Sequence, residues 1–149
     1  QLMGKYYRDA DGVEIPGLGL FEYYTIAEPD RRKRCIGNVV IRTEICGKSV
    51  DVAGFENHGG QTHGVETPLG EVLYGHGNRT KSSHEGYFEK NVIATYMHGP
   101  CLAKNPEISD YIIGYCLNRN SGTAVELTAL DDTLEKDCRQ VMIDRLLKN

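Results

Sequence analysis

The sequence lacks the features that mark several large classes of proteins. It carries 17 Lys and Arg against 21 Asp and Glu, a formal net charge of −4. Because phosphate-binding surfaces need an excess of positive charge, this balance argues against a nucleic-acid partner. No apolar run approaches the roughly 20 residues that span a bilayer, and no basic-then-apolar leader is visible. We therefore expect no membrane span.

The cysteines lack the regular spacing of a disulfide framework or a zinc site. They lie far apart, at Cys35, Cys46, Cys101, Cys116 and Cys138. Their odd number and the absence of a CxxC pair predict reduced thiols in a cytoplasmic protein, which act as small apolar side chains. The histidines, at His58, His63, His76, His84 and His98, are not clustered either. Since zinc needs ligands at short spacings, we expect no metal.

The chain has no internal repeat and no low-complexity linker, which predicts that residues 1–149 belong to one domain. The opening "QLMGKYYRDADG" has the apolar spacing of the last turns of a helix, followed by a turn. "EIPGLGLFEYYTI" predicts a turn at Pro16 and Gly17 and then a strand. The segment "PDRRKR" reads as a charged turn.

The middle of the chain is rich in strand patterns. "CIGNVVIRTEI" and "KSVDVAGFEN" predict two strands of one hairpin, joined at Cys46, Gly47 and Lys48. "GEVLYGHGN" predicts a short strand with glycine-rich ends. "KNVIATYM" predicts one continuous strand from Lys90 to Met97.

Two helices are expected after these strands. The first has Asn105 as its N-cap and Pro106 at its first position, where the missing N–H costs nothing. The second has the capping-box pair Asp132 and Glu135. Helical spacing predicts that its apolar stripe is formed by Leu134, Cys138, Val141, Met142 and Leu146. Strands followed by helices indicate an α/β domain.

The stretch "VIATYMHGP" ends a strand on a histidine. Ligands of open α/β sheets bind at the carboxyl ends of strands, so His98 is a candidate catalytic residue. Gly99 permits close approach of another group, and Pro100 stops the ladder. On this pattern alone, a histidine that merely packs in the core or a turn is the commoner outcome.

Several motifs in order carry a family resemblance. "YMHGP", "GFENHGGQTH", "PLGEVLYGHGN", "KNPE" and the opening "QLMG" together resemble cobyric-acid-synthase-type class I glutamine amidotransferases, and among them the GatD-type glutaminase subunits of lipid II isoglutaminyl synthases. The resemblance implies a flavodoxin-like α/β domain of which this chain is the C-terminal part, without the N-terminal βα units. It covers nearly the whole chain up to the first C-terminal helix.

The resemblance also implies the roles of the first residue and of His98. The family's nucleophilic cysteine lies in a Cys-Gly-Gly-Tyr-Gln run, and Gln1 resembles the glutamine of that run. The nucleophile is therefore expected four residues before Gln1, and the chain by itself is expected to be inactive. His98 would activate the thiol and protonate the leaving ammonia. Cys101 is a much weaker candidate nucleophile.

Arg34 resembles the arginine that binds glutamine in the family. A guanidinium can hold the substrate α-carboxylate through two parallel hydrogen bonds. The alternative is a solvated basic turn, to which the preceding residues 31–33 are assigned. A slip of one residue in the alignment would select a different arginine.

Glu56, Asn57, His58 and Gly99 are candidate neighbours of the active site. Many class I triads have a glutamate two residues after the histidine, where this chain has Pro100. The third triad member would come from another segment or from a partner protein. For Glu56 we favour a structural or substrate-shaping role. His63, His76 and His84 lie in loop-like sequence and are expected to face solvent.

The implied function is that of a glutaminase that hydrolyses L-glutamine and passes ammonia to a Mur-ligase-like synthetase subunit. That subunit would use ATP to amidate D-glutamate of lipid II in peptidoglycan synthesis. The chain has no P-loop, so no cofactor is expected in it. Corrinoid amidation, as in cobyric acid synthases, and a non-catalytic docking module are the alternatives. An exposed sheet edge would also favour a homo-oligomer of the isolated chain.

Overall fold

The structure is a computed structural model that describes residues 1–121 and 125–148. It is strand-rich up to residue 98 and helical afterwards. The strands are β1 (Tyr6–Arg8), β2 (Glu14–Pro16), β3 (Tyr24–Ala27), β4 (Cys35–Ile45), β5 (Lys48–His58), β6 (Gly60–His63), β7 (Gly70–Tyr74), β8 (His84–Glu85), β9 (Tyr87–Glu89), β10 (Val92–Ala94) and β11 (Met97–His98). The helices are α1 (Cys101–Lys104), α2 (Pro106–Ser121) and α3 (Thr133–Leu147).

A five-stranded sheet in the order β11-β5-β4-β7-β8 is the centre of the fold. All four of its pairings are antiparallel. One face packs against α2 in a core that contains Val39, Ile41, Val52 and Ile108. These contacts confirm a mixed α/β domain with a strand-rich middle and C-terminal helices, whereas the flavodoxin-like arrangement stays a prediction.

The opposite face of the central sheet packs against α3. There Ile143 is buried with Val40 and Ala53. The predicted stripe of α3 is wrong in part, because Leu134 and Val141 are 71% and 62% exposed. The predicted capping box is also wrong: Asp132 makes no side-chain cap, and Asp131 accepts the Thr133 backbone N–H instead.

The β4–β5 hairpin is confirmed. Its eleven paired positions run from Cys35 with His58 to Ile45 with Lys48. The turn residues Cys46 and Gly47 have φ of 51° and 71°, which is the conformation that a two-residue hairpin turn needs. The long strands alternate side chains between the two faces and so set the geometry of the site.

A second sheet, in the order β2-β1-β3-β6, corrects the prediction at the N-terminus. Residues 1–12 form no helix. The Tyr6 ring stacks on Tyr24 at 5.0 Å, and β1 pairs with β2 and β3. Contacts with distant segments therefore override the local apolar spacing. The predicted turn after β1 is confirmed, and the predicted charged turn contains the 3₁₀ turn Arg31–Lys33. The turn predicted at Pro16 and Gly17 is wrong, because Pro16 belongs to β2 and pairs with Tyr6.

The predicted strand from Lys90 to Met97 is interrupted. It divides into β10 and β11, with Thr95 and Tyr96 outside both. The backbone N–H of Tyr96 donates to the carboxylate of Glu85 at 2.7 Å, which removes it from the ladder. Of the helices within 1–121 and 125–148, none has the length and apolar composition needed to cross a membrane.

Candidate functional site

His98 lies at the edge of the central sheet. Its strand β11 pairs Met97 with Glu56 and His98 with Phe55. Met97 points into the core and is 5% exposed, whereas His98 is exposed. Within the described ranges, the His98 side chain makes no hydrogen bond or ion pair. The imidazole is therefore free to bind a substrate or a thiol.

The chain turns sharply just after His98. Gly99 has φ of 45°, a left-handed conformation that glycine adopts without strain, and no atom lies within 4 Å of the site of its absent side chain. Pro100 then precedes α1, which begins at Cys101. The sequence "HGP" thus ends the strand at an exposed histidine and directs the chain away from its side chain.

Arg34 and Asn57 occupy the same face as His98. Side chains of paired residues share a face of a sheet, so Phe55 and, two residues along β5, Asn57 lie on the side of His98. Arg34 Nη2 donates to Asn57 Oδ1 at 3.0 Å. A Cβ at Gly59 would come within 3.1 Å of Arg34 Nη1, so this glycine gives the guanidinium its room. The result is an exposed cation held by a carboxamide.

Glu56 and His58 point to the opposite face of β5 and are buried, at 1% and 5% exposure. The two Glu56 oxygens accept the backbone N–H groups of His76 and Gly77, at 2.7 and 2.9 Å. The carboxylate therefore fixes the loop after β7. Because the sheet separates it from His98, Glu56 does not contact the candidate catalytic histidine.

The His58 ring connects Glu56 to Gln1 through an aromatic stack. His58 Nδ1 donates to the Gly60 carbonyl oxygen at 2.7 Å, and its Nε2 lies 3.6 Å from Glu56 Oε2. Tyr96 stacks on this ring with centroids 3.7 Å apart. Gln1 Nε2 donates to Tyr96 Oη at 3.0 Å. Gln1 and His58 thus converge on Tyr96, two residues before His98.

Glu85 is a buried carboxyl group that no sequence pattern selected. It is 0% exposed, and its Oε1 accepts hydrogen bonds from the Thr95 hydroxyl and the Tyr96 backbone. Its Oε2 has no hydrogen-bond partner among the described residues. Burial raises the pKa of Glu85 to about 7. The turn-like sequence "SSHEGY" does not predict these contacts, because the two partners lie ten and eleven residues after Glu85.

The cysteines offer no activated nucleophile within residues 1–121 and 125–148. Cys35 is buried, and its sulfur makes hydrogen-bond contacts with two polar side chains rather than with His58, which pairs with it across the hairpin. Burial and the nearby Glu85 carboxyl raise the pKa of Cys101, which disfavours its thiolate. In the same part of the chain, no group of three His, Cys, Asp or Glu side chains could hold a metal ion.

The predicted site residues therefore form two groups. The outer group, on the face of β5 that carries Phe55, consists of His98, Asn57 and Arg34, and Gly99 follows His98 directly. The inner group, on the opposite face, consists of Glu56, His58 and Gln1, linked through Tyr96. His63 is half-buried and stacks on Tyr24, His76 is half-buried, and His84 is exposed, so only His84 fully follows the solvent-facing prediction.

Comparison with protein families gives a match over most of the chain. The model described as the CobB/CobQ-like glutamine amidotransferase domain matches residues 1–106. This span contains His98, Arg34 and the whole inner group of residues. The match ends where α2 begins, so α2 and α3 lie outside it.

Curated relatives extend the similarity to nearly the full chain. The subunit GatD of the glutamine-hydrolysing lipid II isoglutaminyl synthase from Staphylococcus aureus (strain N315) is 39% identical over 97% of this chain and 57% of the relative. The same subunit from Streptococcus pneumoniae is 35% identical over 97% of the chain and 55% of the relative. A probable cobyric acid synthase from Methanococcus maripaludis is 31% identical over 84% of the chain and 25% of the relative. The chain thus spans little more than half the length of its GatD relatives.

Proposed function

Since this chain belongs to the family of CobB/CobQ-like glutamine amidotransferase domains, we propose that it is the C-terminal part of a glutaminase subunit. The subunit hydrolyses L-glutamine and supplies ammonia to a synthetase. Two GatD relatives, at 39% and 35% identity over 97% of the chain, support this assignment over other members of the family.

The observation that carries the proposal is an unbonded, exposed imidazole on the same sheet face as a tethered guanidinium. His98 ends β11, and Arg34 is held by Asn57 at 3.0 Å. Glutamine hydrolysis needs a base for a thiol and a cation for the substrate's α-carboxylate. The two side chains match these two requirements.

The chemistry follows from the properties of the thiol. A cysteine attacks an amide only as thiolate, so an imidazole must take its proton. The same imidazole, then protonated, gives the proton to the leaving ammonia, and water hydrolyses the thioester. In our proposal the cysteine belongs to the part of the protein that precedes Gln1, and His98 is the base.

The partner assigned to this subunit is a Mur-ligase-like synthetase that binds ATP and amidates D-glutamate of lipid II in the cytoplasm. The two relatives are subunits of a glutamine-hydrolysing lipid II isoglutaminyl synthase, which supports this acceptor. The third triad member comes from a segment other than the stretch after His98, where Pro100 stands, or from the partner. Corrinoid amidation is the second candidate, supported by cobyric acid synthase relatives at 31% identity.

The test is to purify the complete subunit with its synthetase partner and to measure glutamine hydrolysis and the amidation of each acceptor, lipid II or a corrinoid acid. We expect amidation of lipid II only. Amidation of the corrinoid acid alone would instead favour the second candidate. A complex that leaves glutamine intact would contradict the proposal.

The 149-residue chain alone is expected to release no ammonia from glutamine above the buffer rate. Among the described residues no hydrogen bond joins a cysteine sulfur to a histidine, and the pKa of Cys101 is raised rather than lowered. The measurement is a coupled ammonia assay with the isolated chain, using the complete complex as the positive control. Hydrolysis by the isolated chain would show that the nucleophile is one of its own cysteines.

Replacing Arg34 with alanine is expected to raise the glutamine KM of the complex. Loss of a hydrogen-bonded charge costs about 1.5–3 kcal/mol, which corresponds to roughly a 10- to 100-fold change in binding. Arg34→Lys should recover part of the loss, because it keeps the charge but not the planar fork. Arg32→Ala, which removes an exposed neighbour bonded to Asp30, is the matched control. An unchanged KM in Arg34→Ala would discard the assignment.

A further inference from the structure

The strand that carries His98 is too short to fix its own position. β11 has two residues, and its ladder joins only Met97 to Glu56 and His98 to Phe55. The two residues before it, Thr95 and Tyr96, lie outside any strand. An anchor other than the sheet must therefore define how the chain enters β11.

Glu85 provides that anchor through a single oxygen. Its Oε1 accepts the Tyr96 backbone N–H at 2.7 Å and the Thr95 hydroxyl at 2.9 Å. The same Thr95 oxygen accepts the Met97 backbone N–H at 2.9 Å. All three residues that precede His98 are thus tied, directly or through one hydroxyl, to a carboxyl group that is 0% exposed.

We propose that Glu85, acting through Thr95, is a positioning residue that sets the location of the His98 imidazole for glutamine hydrolysis. The inference rests on the proposed function and adds residues to its machinery. A general base works only within hydrogen-bond reach of its proton, and misplacement by about 1 Å can cost about 10²-fold in rate. Glu85 itself stays buried and does not touch the substrate.

The surroundings of Glu85 bring the ionisation of its carboxyl group close to neutral pH. The titratable groups that face it are Glu56 and His58 from β5, Tyr96 from the segment before β11, and Cys101 from α1. Burial, reinforced by the Glu56 charge, raises the pKa of Glu85 to about 7 against the opposing hydrogen bonds. Its bonds to Thr95 and Tyr96 strengthen on ionisation, because charge-assisted hydrogen bonds are about twice as strong as neutral ones.

The first experiment compares Thr95→Val with Thr95→Ser in the complete complex. Valine keeps the shape of threonine but removes the hydroxyl that donates to Glu85 and accepts the Met97 N–H, whereas serine keeps this hydroxyl. We expect Thr95→Val to lower kcat about 10- to 100-fold with little change in glutamine KM, and Thr95→Ser to recover most of kcat. Thermal melting of each variant verifies that it is folded.

The inference would be overturned by a kcat for Thr95→Val within about twofold of wild type, or by equal losses with valine and serine. A parallel rise in KM would also contradict it, because substrate binding rather than the base would then be affected. A wild-type complex without glutaminase activity would contradict the proposed function itself. The two failures are therefore distinguishable.

The second experiment does not depend on Thr95→Val folding. Glu85→Gln keeps the acceptor oxygen and the volume but cannot ionise. The ratio of its kcat to that of wild type should be near unity at about pH 6, where Glu85 is largely neutral, and should fall at about pH 8. The groups that face residue 85 are unchanged in this variant. A ratio that stays constant over this range would contradict the role of Glu85.

Discussion

Replacing His98 with alanine is expected to reduce glutamine hydrolysis by the complete complex by at least about 10²–10⁴-fold, the usual contribution of a positioned general base. The loss should appear in kcat, because the imidazole acts on the thiol and on the leaving ammonia. His98 is exposed and makes no hydrogen bond within the described ranges, so its removal should leave the fold intact. The measurement is steady-state ammonia release.

A matched control is available in the same chain. His63 lies in β6 and stacks on Tyr24 with ring centroids 5.5 Å apart, a contact that His63→Phe preserves. That variant should keep the wild-type rate. If His98→Ala turned over glutamine nearly as fast as wild type, His98 would be only a strand-end residue, and the proposed function would lose its base.

Replacing Asn105 with alanine is expected to destabilise the fold by about 2–4 kcal/mol, since each buried backbone group left unpaired costs about 1–3 kcal/mol. Asn105 is 0% exposed, and its carboxamide accepts the Ala53 N–H at 3.0 Å and donates to the Ala53 carbonyl at 2.9 Å. It also donates to the Cys101 carbonyl at 2.6 Å. The side chain thus takes the place of a strand beside β5, where β11 does not reach.

The measurement is chemical denaturation of the complete protein, followed by circular dichroism. Asn38→Ala is the matched control, because Asn38 is an exposed residue of β4 and surface substitutions usually change stability by less than about 0.5 kcal/mol. Equal midpoints for the two variants would show that the Ala53 backbone finds other partners and that Asn105 is dispensable.

The central hairpin could be predicted because its signals are local. Alternating apolar residues on both sides of Cys46 and Gly47 specify two strands, a short turn and their register. The starts of α2 and α3 also followed from nearby residues, although neither expected cap formed: the Asn105 side chain bonds to Ala53 instead of to α2, and the Asp132 side chain caps nothing. The strand β1 was missed because it pairs with β3, which is distant in sequence.

The site divides in the same way. The strand end at "MHGP" and the family resemblance selected His98 and Arg34, and their roles stay predictions. The hydrogen bond from Tyr96 to Glu85 and the stacking of Tyr96 on His58 could not be predicted from the sequence. A single glutamate and a single tyrosine in loop-like sequence do not form a recognisable motif. The polar partners of a buried carboxyl are decided by tertiary packing rather than by spacing along the chain.

The alternation of β5 restricts which changes in its length the protein can tolerate. Phe55 and Asn57 face the side of His98, while Glu56 and His58 face inward. One inserted residue near Gly54 would exchange the two sets of side chains. Glu56 would then face His98, and Phe55 would take the buried position from which Glu56 now binds the loop after β7. Deletions and insertions in this strand should therefore occur only in pairs, whereas the tip at Cys46 and Gly47 lies far enough away to vary.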